Sequence, residues 1–340
     1  MPWPIVGHER AVELLRQSLA SGRVAQAYLI FGPPGVGKTT LAALLAKAVN
    51  CEGDDPPCGR CAQCLRFDRG VHPDVLIIRR GMVLDEEDET AGTRVGIGAV
   101  RELIREASLL PMAGRYRVFI ILDAELMTVE AANALLKTLE EPPPHVLIIL
   151  VAADDSALPE TVRSRCLRLE LRPVGLGRVA ALLQERGVDP DRARLLAALG
   201  RGRVGRSLAL AEDEDWLRWR QELLDRHARL VASGETAAAL RWAQELAEGF
   251  GRDRDQILEA LDVLAEWWRD LLVVRAGAAD LVTNVDREDE IRKLAQRLDF
   301  GTILDAVRQV RRARRLLEQN VHPRLTLDNL ALALPVSDAR

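Results

Sequence analysis

Residues 27–50 read AYLIFGPPGVGKTTLAALLAKAVN. The apolar run Ala27–Phe31 suits a short buried parallel strand. Residues 39–50 suit a helix with Leu41, Leu44, Leu45 and Val49 near one face. Between them, Gly32, Pro33, Pro34, Gly35, Val36, Gly37, Lys38 and Thr39 match the pattern G-x-x-x-x-G-K-[ST]. A glycine-rich loop between strand and helix aims backbone N–H groups and a helix N-terminus at one point, which suits it to hold phosphate groups. Lys38 is placed to reach the β- and γ-phosphates of a nucleotide and the Thr39 hydroxyl to ligate Mg²⁺, with Thr40 beside it at the helix start. An α/β domain with a parallel sheet is the expected host.

The second half of a nucleotide site is incomplete. Residues 116–123, YRVFIILD, read as an apolar strand ending in Asp123, an acid placed to support Mg²⁺; its alternative is a helix N-cap. The residue that would polarise an attacking water is Ala124, and Glu125 comes one position late, where it is expected to point elsewhere. Loss of such a base removes a factor of roughly 10²–10⁴ in rate. The next strand, within HVLIILVAADD at 145–155, carries Ala152 and Ala153 where a polar γ-phosphate contact is expected, followed by Asp154. Both gaps lead to one expectation: any ATP with Mg²⁺ that the chain binds is hydrolysed poorly or not at all.

Four of the five cysteines fall within 51–64, as Cys51, Cys58, Cys61 and Cys64. Two C-x-x-C steps share Cys61, and Gly53, Pro56, Pro57 and Gly59 permit tight turns. Four thiolates fill a tetrahedral Zn²⁺ shell and leave no place for a catalytic water, so a closed structural zinc knuckle is expected. Cys166 stands apart.

With 340 residues the chain is long enough for two or three domains. A net charge of -4 gives no global attraction to nucleic acid or membrane. No apolar run approaches the ~20 residues of a membrane span, and the N-terminus lacks the layout of a signal peptide, so a cytoplasmic location is expected. The acidic run 85–92 reads as a solvated loop. Residues 97–110 place Val100, Leu103, Ile104 and Ala107 on one helical face. Beyond Pro173 the strand signal disappears. Short helices follow, then a longer helical region whose tryptophans, at 216, 219, 242, 267 and 268, read as packing residues. The arginine-rich helix at 308–320 reads as a solvated or subunit-contacting face, with a DNA contact as the lesser alternative.

AANALLKTLEEPP at 131–143 and LPETVRSRCLRLEL at 158–171 resemble the clamp-loader branch of the AAA+ proteins. Cysteines inserted after the glycine-loop helix resemble its bacterial members. The stretch IILDAELMTVEAANALLKTLEEPP is most similar to the delta prime family of DNA polymerase III. Softer signatures, IVGHERAVELLRQSL at 5–19, WWRDLL at 267–272 and NVHPRLTLDNL at 320–330, extend the resemblance over nearly the whole chain. It implies an AAA+ P-loop domain at 1–172 with its zinc module at 51–64, a helical lid at 173–212 and a helical collar at 213–340. The implied partners are gamma/tau motor subunits and a delta subunit in a hetero-oligomeric ring, which reaches the sliding clamp and primed DNA. Arg165, within Ser164-Arg165-Cys166, is the implied arginine finger, offered in trans to a neighbour's ATP. Arg206, within Gly205-Arg206-Ser207-Leu208, resembles a second sensor that touches the chain's own nucleotide. Some family members have degraded phosphate loops, and this one is intact. The alternative is a gamma/tau-like motor ATPase, which would be expected to read Asp-Glu at 123–124 and Thr or Asn near 153. A stand-alone P-loop kinase or GTPase is opposed by the Ser-Arg-Cys motif and the cysteine cluster.

Overall fold

The computed structural model describes residues 3–82 and 93–335. The acidic run 85–92 lies outside them. The chain forms two compact units, Met1–Val179 with Gly202–Arg206, and Ala180–Arg201 with Ser207–Arg340.

The first unit is built on a five-stranded sheet of β1 (Ala27–Phe31), β2 (Val75–Ile78), β3 (Arg117–Ile121), β4 (Val146–Ala152) and β5 (Leu167–Glu170). The strand order is β2-β3-β4-β1-β5 and every pairing is parallel. β3 and β4 are buried along their whole length, as continuous apolar runs covered on both faces require. Alternate side chains supply two cores. Tyr28, Ile30, Val118, Ile120, Leu147 and Ile149 meet Leu15 of α1 (Glu9–Ala20) and Leu41 and Leu45 of α2 (Lys38–Val49). On the other face, Leu29, Phe119, Ile121, Ile148 and Leu150 meet Val100 and Leu103 of a later helix (Ile97–Ala107) and Leu135 and Leu139 of the next (Val129–Glu140). The short helix α3 (Ala62–Asp68) follows the cysteine turns, so these two are α4 and α5. The helix expected over 97–110 ends at Ala107.

Buried polar side chains hold the turn into β3. Asp74 accepts N–H bonds from Met112, Ala113 and Gly114 at 2.6–2.7 Å. Burial opposes its ionisation, but these donors keep its carboxyl below the ordinary value. Asn50, just past α2, accepts from Arg115 and Tyr116 N–H at 2.8 Å. The glycine-loop helix and β3 are thus tied together outside the sheet.

α6 (Glu160–Arg163) leads into β5, and α7 (Leu176–Glu185) spans the division between the units. α8 (Pro190–Gly200) belongs to the second unit, while α9 (Val204–Glu212) begins in the first and ends in the second. The second unit continues through α10 (Glu214–Ser233), α11 (Thr236–Phe250), α12 (Arg254–Arg275), α13 (Glu288–Arg297), α14 (Phe300–Glu318) and α15 (Pro323–Ala333). α12 is its axis, packed on α11, α13 and α14. Trp242, Trp267 and Trp268 are fully buried there around His227, which fits the reading of the tryptophans as packing residues. Arg220, also buried, forms a two-pronged pair with Asp286 at 2.8 and 3.0 Å. Asp270 accepts from Thr283 N–H, Asn284 N–H and the Asn284 amide. No described helix is long and apolar enough to cross a membrane.

Candidate functional site

The glycine loop leaves β1 at its carboxyl end and enters α2. Gly32, Gly35 and Gly37 have φ of 144°, 81° and 107°, a region that favours glycine. A Cβ at Gly32 would also lie 2.0 Å from the Leu171 carbonyl oxygen. α2 starts at Lys38 with no side chain capping it, which leaves its first N–H groups for an anion. Pro33, Pro34, Thr39 and Thr40 are exposed beside them, and Val36 is buried beneath. Lys38 folds back on the loop, its Nζ donating to Gly32 O at 2.6 Å and Pro33 O at 3.0 Å. Burial pulls its ammonium below the ordinary value, and the carboxylates of Glu125 and then Asp123 oppose that shift.

Asp123 ends β3 in a left-handed conformation, φ 52°. Its side chain is half exposed, 3.9 Å from Arg80, and makes no capping bond. Asp123 occupies the N-cap position of the 3-10 turn Ala124–Leu126, with its side chain free of any capping role. Ala124 is fully buried in the core. Glu125 turns toward the end of β4. Its Oε1 accepts from Ala153 N–H at 2.9 Å, and its charge acts on Lys38. The physical reason is the left-handed turn at Asp123, which sends Ala124 inward and brings Glu125 back toward the end of β4. Asp154 is engaged locally, accepting from Ser156 N–H.

Arg206 stands over the loop at the start of α9. Gly205 N–H donates to Gly35 O at 2.7 Å, and a Cβ on Gly35 would meet Arg206 N at 3.1 Å. The backbone of Gly205 and Arg206 thus packs on the loop, and the charge of Asp123 acts on Lys38. Two contributors carry little sequence signal. One is Glu125. The other is His8, buried, with its ring Nε2 2.8 Å from Val36 O, a brace for the loop from the residue before α1.

Arg165 lies elsewhere. It is in the turn that precedes β5, whose first residue Leu167 pairs with Tyr28 near the start of β1, so it sits toward the amino end of the sheet. The loop begins at Gly32, at the other end of β1 and four residues beyond Tyr28, or ~13 Å of strand. Arg165 is a third exposed, pairs with Glu140 at 2.6 Å and donates to Thr161 O at 2.7 Å. Cys166 beside it packs on the core, and burial pushes its thiol up to about 12.

The cysteines form a separate cluster at the end of α2. The four sulfurs of Cys51, Cys58, Cys61 and Cys64 all lie within 4.8 Å of one another. Zn–S bonds of ~2.3 Å need sulfurs a little under 4 Å apart in a tetrahedron, so a small contraction closes the site. Backbone N–H groups of Gly53 and Cys58 point at Cys51 Sγ at 3.3 Å, and that of Cys61 at Cys58 Sγ at 3.4 Å. N–H groups of Arg60 and Cys61 hold the Cys58 thiol down at about 6, while burial pushes Cys51 and Cys64 up. A divalent cation relieves that conflict by taking all four as thiolates. The donor set fits structural Zn²⁺. Trp3 Nε1 donates to Pro56 O, and Gln63 joins Glu52 to Ala113 O, fixing the module to the sheet domain.

A parallel sheet ordered β2-β3-β4-β1-β5 with a phosphate loop after β1 defines an AAA+-like P-loop fold. Residues 7–175 match the family model "DNA polymerase III, delta subunit", and residues 214–334 match "DNA polymerase III, delta subunit, C terminal". The delta' subunit of DNA polymerase III from Bacillus subtilis is 28% identical over 326 residues, covering 96% of this chain and 95% of that one. The tau subunit of Escherichia coli is 34% identical over 216 residues, covering 61% of this chain and 32% of tau, so the chain spans about a third of that relative. A gamma-subunit-related protein of Thermotoga maritima aligns over 94% of this chain and 97% of its own at 20% identity, with a TM-score of 0.37 that carries no argument. The chain belongs to the family of DNA polymerase III delta prime subunits.

Proposed function

We propose that the chain is the stator of a bacterial clamp loader, working in the cytoplasm within the DNA polymerase III holoenzyme. It stands in a hetero-oligomeric ring beside gamma/tau motor subunits and a delta subunit, and through that ring helps load the sliding clamp onto primed DNA. Residues 173–212 act as its lid and 213–340 as its collar. One observation carries the reading: Arg165 lies at the far end of the sheet from its own phosphate loop, on an exposed turn. A guanidinium there has no phosphate of its own to serve and can act only on a neighbour's, where its planar fork matches γ-phosphate oxygens. Its pair with Glu140 is exposed and stabilises by at most ~1 kcal/mol, so a stronger anion can displace it. The chain's own loop, Gly32–Thr40 with Asp123 and Arg206, holds nucleotide, and the buried Ala124 leaves it without a water-activating acid beside Asp123.

The motor reading is favoured by the intact loop and the match to tau. Reconstitution separates the two. A stator leaves the purified single chain without sustained ATP turnover, yet clamp loading by motor and delta subunits needs the chain present. Sustained turnover by the single chain, abolished by Lys38→Ala, makes it a motor instead.

A further inference from the structure

The peptide between Ala152 and Ala153 joins two parts of the nucleotide site. Its carbonyl accepts from Gly32 N–H, the first amide of the phosphate loop, at 3.3 Å, and its N–H donates to Glu125 Oε1 at 2.9 Å. Glu125 is thereby fixed at the ends of β3 and β4. In a P-loop site this is the flank where Mg²⁺ and the γ-phosphoryl group lie. Its second oxygen, Oε2, is buried and has no hydrogen-bond partner among the described residues. A buried carboxylate oxygen needs a donor. Lys38 has three N–H donors and now spends two on loop carbonyls. Glu125 acts on its charge more strongly than Asp123 does.

We propose, resting on the reading that this loop binds nucleotide, that Glu125 occupies the γ-phosphate's place and makes the site selective for nucleoside diphosphates. With a diphosphate bound, Lys38 turns from the loop to the β-phosphate and gives its γ-facing donor to Glu125 Oε2. The carboxylate then supplies the anion that a γ-phosphoryl group supplies in a triphosphate site. A triphosphate must instead set its terminal group against a half-buried carboxylate that is held by a backbone bond. The alanine at 124 fits such a site, since a diphosphate has no γ-phosphoryl group for a water-activating acid to act on.

The test is calorimetric titration of the zinc-loaded full chain with ADP and with the non-hydrolysable triphosphate AMP-PNP, each with Mg²⁺. The chain is expected to bind ADP at least about ten-fold more tightly, equivalent to ~1.4 kcal/mol. Glu125→Gln keeps an oxygen for Ala153 N–H and offers an amide donor to a γ-phosphate, so the preference should collapse or invert. Glu125→Ala should shift it in the same direction, and melting curves check that both variants fold. Equal affinities in the unaltered chain, or a ratio unmoved by both substitutions, overturns the proposal and leaves nucleotide binding intact. Binding of neither nucleotide overturns it together with the nucleotide reading, and leaves the role of Arg165 untouched.

Discussion

Gly32 shows how narrowly single residues are constrained here. Its φ of 144° and the Leu171 carbonyl 2.0 Å from any Cβ leave no room for a side chain. Gly32→Ala should destabilise the first unit by roughly 3 kcal/mol and disturb the loop itself, read as a lower melting temperature and lost nucleotide retention. An unchanged melting temperature would mean that β5 yields easily. His227 sets a different constraint. It accepts from Trp268 Nε1 at 3.0 Å and sits among three tryptophans, and burial pushes its pKa down to about 3. The unfolded chain takes up that proton near pH 6.5 and the folded one does not. Stability from this site is therefore full above about pH 6.5 and is lost progressively as the pH falls toward 3. At pH 5 the loss is about 2 kcal/mol. Urea unfolding at pH 7 and pH 5 should show it, and His227→Phe should flatten that part of the pH dependence.

At the scale of elements, the zinc module hangs between α2 and α3 and is fixed by Trp3 and Gln63. Metal analysis should give about one Zn²⁺ per chain. Chelation, or Cys64→Ser, should loosen residues 51–68 and lower the melting temperature; metal-free protein that melts unchanged would remove the module from the stability account. The arginine pair in the helical unit makes a comparable claim. Arg220→Ala leaves Asp286 without its partner and should cost ~3–5 kcal/mol, measured by denaturant unfolding. These elements differ in how far the sequence reveals them. The glycine loop, the apolar strands and the cysteine spacing are local patterns, and each folds as its pattern dictates. The Arg220–Asp286 pair joins residues 66 apart, and no local pattern marks it. Glu125 could not be placed from the sequence because its direction depends on one backbone angle, the left-handed turn at Asp123. The helix over 97–110 was expected to run three residues further than Ala107, because Leu109 and Leu110 extend its apolar composition; in the structure both are exposed.

At the scale of the whole molecule, the phosphate loop and Arg165 lie toward opposite ends of one sheet. In the proposed function the carboxyl end carries a loop for the chain's own nucleotide, and the amino end carries an arginine for a nucleotide held by another subunit. The second unit is helical throughout, and the proposed function gives it the role of assembly. The measurement that tests this division most directly is steady-state ATP turnover of the assembled ring, with motor and delta subunits, clamp and primed DNA, built with either the unaltered chain or Arg165→Ala. A finger in trans contributes ~10³–10⁵ in rate at the site it serves. Arg165→Ala should therefore remove the share of turnover carried by the adjoining motor site while leaving ring assembly and the melting temperature of this chain unchanged. Turnover equal to that of the unaltered ring would contradict the account and reduce Arg165 to the surface ion pair it makes with Glu140.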